Sequence, residues 1–384
     1  MSGASKSRVR QPDIQIGQAL RWDVYDGAGV LLLRKGQVVG SATQLERLIG
    51  AGVYADTAAL TRSRNDAEAP PPGQVSALRQ LMVARKRLDL LFGSLASMME
   101  NGTFIPQVMD IVRQIDLACT TEPNVAVAVI LLRQEGRYAT RHMVDVAIVI
   151  RLVARTMNLP RAQEDALVAA ALTMNLSMVD LQDALKDQNG ALTPAQREQL
   201  ERHPSETCSM LAAAGVTDKV WLRSIAEHHE HVDGSGYPAK LKREALGPGG
   251  QLLCLADVFC ARVTPAVYRP AVASNMALRS ILLERGKSFD PVLAGQFIKT
   301  LGVFPPGLLV RLANGEIGIV AKMGETPNYP LVASIIGAQG VPLTIALRRD
   351  TNQDGYRIVE TVDPKSFSTY VNMESIWGAA ASMN

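Results

Sequence analysis

All five histidines of this 384-residue chain fall in its middle: His142, His203, His228, His229 and His231. The run His228-His229-Glu230-His231 is followed closely by Asp233-Gly234-Ser235-Gly236-Tyr237-Pro238. Neutral imidazole is the commonest transition-metal ligand, and a buried imidazole cluster without a metal would crowd polar rings together. Adjacent histidines point about 100° apart on an ideal helix, so His228 and His229 face one centre mainly where a helix ends. The glycines permit positive φ and the proline forbids continuation, so the run itself supplies that end. Taken alone, His-His-Glu reads equally well as a solvated helix end.

A metal site of this kind needs a helical frame, and the pattern from about 75 to 300 is helical. Helices are expected near 105–118, 121–135, 140–157, 162–173, 194–213, 218–230, 250–262 and 274–302, with Pro160 and Pro194 near helix starts, where a missing N–H costs nothing. Leu81, Ala84, Leu88, Leu91 and Leu95 form a seam that either pairs two copies of the chain or packs within its own domain. Ahead of the helices, residues 1–60 read as a small α+β unit. Asp26-Gly27 predicts a turn, Gly29 to Leu33 a strand, and Ser41 with Gln44 a capping box for a helix that Gly50 stops. The polar, Pro-rich residues 61–74 read as a linker, 75–118 as a helical connector and 119–302 as the main helical domain. From 303 to 384 the texture is β-rich, and Asn314-Gly315 is its strongest hairpin signal.

Composition narrows the function. Hydrophobic residues make up 47% and charged residues 20%, a globular balance. Lys+Arg total 40 against Asp+Glu 37, so no concentrated basic surface argues for a nucleic-acid partner. The apolar stretches are far shorter than the ~20 residues that span a bilayer, and the polar start has no apolar core of a secretory signal. Cys119, Cys208, Cys254 and Cys260 form no CxxC pair and read as reduced core thiols of a cytoplasmic protein.

The segment HHEHVDGSGYP resembles the signature of the HD-GYP family, the helical branch of HD phosphohydrolases that hydrolyses cyclic di-GMP. The resemblance covers about 120 to 300, and the β tail and the N-terminal unit look like that family's usual flanking parts. It implies a mainly α fold: an HD-superfamily helical bundle with a small N-terminal β-rich unit and a C-terminal β extension. Besides His228 and His229, it places metal ligands at His142 (in RYATRHMVDVAIVI), His203 (in LTPAQREQLERHP) and Asp257 (in LLCLADVFCAR). Tyr237 takes the place of a ligand-contacting tyrosine, and Arg269, in AVYRPA, that of an arginine holding the ligand's phosphates.

The departures are as specific as the matches. Met174-Asn175 stand where the name-giving His-Asp pair belongs, Met178 replaces a lysine, Ala266 an arginine of the phosphate clamp, and Cys260 a frequent aspartate. In a two-metal phosphohydrolase one carboxylate bridges both ions. Asn175 offers one neutral carbonyl oxygen, and the Met174 thioether suits Cu(I), not Mn or Fe. Loss of the lysine removes a charge often worth several kcal/mol in a dry site. A binuclear centre is therefore not expected, although three imidazoles and a water are a geometry that catalytic zinc uses.

The leading expectation is a cytoplasmic, degenerate HD-GYP protein of cyclic di-GMP signalling, without phosphodiesterase activity, acting as a nucleotide-sensing or protein-interaction module. The resemblance implies signalling partners such as diguanylate cyclases. A second reading is a weak mononuclear phosphodiesterase with one Fe, Mn or Zn ion, at reduced occupancy, on His203, His228 and His229. A third is a helical scaffold that binds neither nucleotide nor metal. With one clamp arginine fewer, a dianionic ligand would bind about 1.5–3 kcal/mol more weakly.

Overall fold

A computed structural model describes residues 6–9, 13–14, 20, 22–37, 39–57, 76–267, 270–363 and 371–383. The expected linker at 61–74 and the clamp residue Arg269 lie outside them. The chain divides into two compact units, Met1–Val75 and Ser76–Asn384.

The first unit holds strands β1 (Lys6–Arg8), β2 (Val24–Tyr25), β3 (Leu31–Leu33) and β4 (Tyr54–Asp56), with helix α1 (Ala42–Gly50) between β3 and β4. The sheet order is β1-β4-β2-β3, and Trp22, Val24, Val39, Leu45, Val53 and Ala55 close its core. The expected strand from Gly29 begins two residues late. Gly29 takes a positive φ of 87°, and the Asp26 carboxylate holds the Ala28 and Val30 amides at 2.9 and 2.8 Å. Ser41 caps α1 by accepting from the Gln44 amide, as its spacing predicts. Gly50 does not stop the helix but belongs to it; the left-handed residue after the end is Gly52, with φ 71°.

The second unit is a helical body: α2 (Ala77–Gly93), α3 (Leu95–Glu100), α4 (Phe104–Thr121), α5 (Pro123–Leu132), α6 (Tyr138–Thr156), α7 (Arg161–Thr173), α8 (Val179–Asp187), α9 (Pro194–Ala213), α10 (Lys219–Glu227), α11 (Pro248–Val263), α12 (Ser274–Leu283) and α13 (Pro291–Leu301). Helix α6 is buried without a break from Ala139 to Arg151, as a helix at the centre of a bundle must be, and it packs against α7 and α11. The helix expected over 274–302 is two helices, because Asp290 caps the Val292 and Leu293 amides and Pro291 opens a new first turn. The short helices α3 and α8 have no counterpart in the sequence reading. The α2 seam, from Leu81 to Leu91, is buried in its own unit against residues such as Val108 and Ile111, so it offers no free face for a second copy. Among the described residues no single helix is long and apolar enough to cross a membrane.

Five antiparallel strands follow: β5 (Leu309–Leu312), β6 (Ile317–Lys322), β7 (Leu331–Ile336), β8 (Pro342–Asp350) and β9 (Ile358–Thr361), in the order β8-β7-β6-β5-β9. The Asn314-Gly315 turn joins β5 to β6, with Gly315 at φ 87°. Inside the sheet, Glu316 receives two bonds from Arg349 at 2.9 Å and one from Ser334 at 2.7 Å. Gly307 brings the chain onto α5: its φ is 94°, and a Cβ there would lie 2.9 Å from the Ala128 Cα. A last short helix, α14 (Met373–Trp377), is pinned by the Trp377 indole donating to the Ala321 carbonyl at 2.8 Å.

Candidate functional site

Helix α9 opens with a capping box between Thr193 and Gln196 and carries His203 two turns further on, directly before Pro204. A proline inside a helix has no N–H for the carbonyl four residues back. Here that carbonyl belongs to Leu200, and the His203 Nδ1 takes it at 2.6 Å. The dipeptide His-Pro thus fixes the ring: Nδ1 carries the proton, and Nε2 presents a lone pair inward. His228 repeats the device at the end of α10, where its Nδ1 donates to the Ile225 carbonyl at 2.6 Å. The two Nε2 atoms face each other at 3.2 Å. His229 completes the cluster, and one nitrogen from each ring lies within 4.8 Å of the others.

The loop after α10 holds His229 in place. The His-His-Glu run is not a solvated helix end: His228 is 0% exposed and Glu230 2%. The Glu230 carboxylate accepts from the Ala239 and Leu241 amides at 2.6 and 2.9 Å, folding the Gly-Tyr-Pro segment back over the histidines. Gly236 permits the close return, since a Cβ there would sit 2.4 Å from the His229 carbonyl oxygen. The Tyr237 amide donates to that carbonyl at 3.0 Å, and the Tyr237 ring stacks on His229 with centroids 4.7 Å apart. Tyr237 therefore touches a site histidine directly. The sequence reading gave Glu230 no part, and a carboxylate in a polar run carries no signal of burial. His231 turns away and meets Ser235.

Opposite lie His142 on α6 and Asp257 on α11, joined by a 2.7 Å bond from Nε2 to the carboxylate. Burial alone would raise the Asp257 pKa, but the His142 hydrogen bond and nearby imidazoles hold it below the ordinary carboxylate range. Its charge acts on His203, His228 and His229, while the three imidazoles alone form the close cluster. Burial, reinforced by His228, pushes the His203 pKa down to about 3, and burial likewise lowers His228 and His229. All three rings are neutral near pH 7, the form that binds a metal.

Helix α7 ends at Thr173, whose hydroxyl accepts from the Trp221 indole at 2.8 Å, and this fixes the turn carrying Met174 and Asn175. Both are buried, and the Asn175 side-chain oxygen has no hydrogen-bond partner among the described residues. Met178, also buried, precedes α8. Ser177 donates to the His203 carbonyl at 3.1 Å and so ties this segment to the histidine helix.

The donor set fits one cation. Two lone pairs facing at 3.2 Å, with a third imidazole beside them, repel one another unless a positive charge sits among them. No second cluster of this kind occurs among the described residues: the Asp257 carboxylate is already engaged by the His142 Nε2, and the turn after α7 offers a neutral amide and a thioether.

A family model described as the HD domain matches residues 127–293. The chain is 26% identical over 277 residues to a cyclic di-GMP phosphodiesterase of Pseudomonas aeruginosa (PA4108), covering 71% of this chain and 66% of that protein. It is 29% identical over 141 residues to the cyclic di-GMP phosphodiesterase response regulator RpfG of Xanthomonas campestris, covering 36% and 37%. A cGAMP-specific phosphodiesterase of Vibrio cholerae shares 26% over 168 residues, covering 44% and 36%. The chain thus spans about two thirds of the first relative and just over a third of the other two. Among solved structures, Bd1817, an HDG"Y"P protein from Bdellovibrio bacteriovorus, shares the fold with a TM-score of 0.50 and 15% identity, covering 77% of this chain and 99% of that one.

Proposed function

We propose, since this chain belongs to the HD-GYP family of HD domains, that it is a degenerate member: a cytoplasmic module of cyclic di-GMP signalling that binds one metal ion at most and does not turn the dinucleotide over. The observation that carries this reading is Asn175, buried with its amide oxygen unpaired among the described residues, in a turn where the family's chemistry asks for a carboxylate. His203, His228 and His229 would hold one divalent ion, with Fe, Mn and Zn all compatible with imidazole. Such an ion, when bound, supplies Lewis acidity toward a phosphate oxygen.

The chain's own residues do the rest. Leu200 and Ile225 fix the tautomers of His203 and His228, and Tyr237 orients His229 by stacking. The Tyr237 ring also offers a flat face at the site. Arg269 would contribute one charge-assisted bond to a phosphate of the ligand. What the site lacks is a carboxylate to bridge a second ion and the cation that Met178 replaces. Binding can outlast catalysis under these losses, and the bound state would be read by a signalling partner such as a diguanylate cyclase.

Calorimetry with cyclic di-GMP tests the proposal alongside a hydrolysis assay. The expected outcome is binding heat that Arg269→Ala abolishes, with no linear product. No binding heat at micromolar protein would leave only a scaffold. A mononuclear phosphodiesterase is the second reading, favoured by the three-imidazole cluster. Slow hydrolysis lost on His203→Ala would establish it instead.

A further inference from the structure

We infer that Lys186, at the end of α8, supplies a phosphate-binding charge at the mouth of this site, in place of those missing at Met178 and Ala266. The inference rests on the nucleotide-binding reading above. Two contacts lead from Lys186 to the site wall. Its ammonium lies over the Tyr138 ring, 5.6 Å from the centroid, and that ring leans on the His142 imidazole with centroids again 5.6 Å apart. A third ties it to the neighbouring loop, since the Lys186 carbonyl accepts from the Val267 amide at 2.9 Å. The lysine thereby lies with its main chain against Val267 and its side chain over Tyr138, at the His142 end of the site.

Other basic side chains on this wall are already committed. Arg137 is held by Asp180 and Asp183. Arg141 is 2% exposed and donates to the Gln134 carbonyl. Lys186 is half-buried and forms no ion pair with a carboxylate among the described residues. A lysine in the last turn of a helix is expected on the macrodipole alone. That does not account for an ammonium laid along an aromatic ring of the site. A phosphodiester dianion entering over His142 would meet Lys186 as a free cation with three donors, able to follow the phosphate on a flexible stem.

Lys186→Met keeps the apolar stem over Tyr138 and removes only the charge. Cyclic di-GMP affinity, measured by calorimetry at two salt concentrations, is expected to fall about 10- to 100-fold, the scale of one charged hydrogen bond. The salt dependence of binding should weaken with it. Lys186→Arg should stay within about threefold of the unaltered protein, and adding Ala266→Arg to Lys186→Met should recover most of the loss. Unchanged affinity in Lys186→Met, with the unaltered protein binding normally, would overturn this inference and spare the nucleotide reading. Absence of binding by the unaltered protein would overturn both.

Discussion

The chemistry of this molecule turns on protons held in fixed places. His203 and His228 each give their Nδ1 proton to a main-chain carbonyl: His203 to that of Leu200, which Pro204 leaves without its helical donor, and His228 to that of Ile225 at a helix end. His203→Ala should therefore remove bound metal, as measured by elemental analysis of the purified protein, whereas His231→Ala should leave it unchanged. Gly236→Ala would push a methyl to within 2.4 Å of the His229 carbonyl, so the loop must move. We expect a loss of about 1–3 kcal/mol in thermal unfolding, the scale of overpacking, together with loss of metal. The clustering of His228 and His229 at a helix end was legible in the run His-His-Glu to Gly-Tyr-Pro, whose glycines and proline end the helix, whereas His203 was placed beside them only through the family resemblance. Glu230 was not legible, since its two amide partners nine and eleven residues on exist only once the loop has folded.

At the scale of elements, charge buried between helices and strands sets the frame. Arg151 on α6 is fully buried and bonds Glu164 at 3.0 Å, with Asp116 at 3.3 Å. Replacing it with leucine takes from Glu164 its close partner, whereas Asp116 keeps Arg155 and Arg161. Denaturant unfolding should show a loss of about 3–5 kcal/mol, the usual result of removing one partner from a buried pair. In the C-terminal sheet, burial would raise the Glu316 pKa, but Arg349 and Ser334 outweigh it and hold the carboxyl below its ordinary 4.5. A carboxyl depressed on folding stabilises the folded state above its unfolded pKa, and that stability is lost as pH falls through the folded value. The melting temperature should thus drop below about pH 4.5, and Glu316→Gln should flatten the drop. Most helices were readable from apolar spacing. The split of 274–302 was signalled by Asp290-Pro291 and overlooked, while the α2 seam shows why spacing cannot tell a partner helix from the chain's own core.

Over the helical body, α9 and the end of α10 bring His203, His228 and His229 together, α6 and α11 pair His142 with Asp257, and the expected family departures Met174, Asn175 and Met178 lie between α7 and α8. The three imidazoles form one cluster, while the turn after α7 offers Met174 and Asn175. Restoring the missing donors by Met174→His with Asn175→Asp should raise metal content. The sequence reading expects a missing pair at Met174-Asn175 but says nothing of the state of the neighbours: that the His142 Nε2 bonds Asp257 emerges only from the packing of α6 on α11. The most direct measurement is the metal bound per chain after reconstitution with Mn, Fe or Zn, taken with a cyclic di-GMP hydrolysis assay on the same sample. No more than one ion per chain and no turnover is the predicted result; two ions per chain with sustained hydrolysis would contradict it.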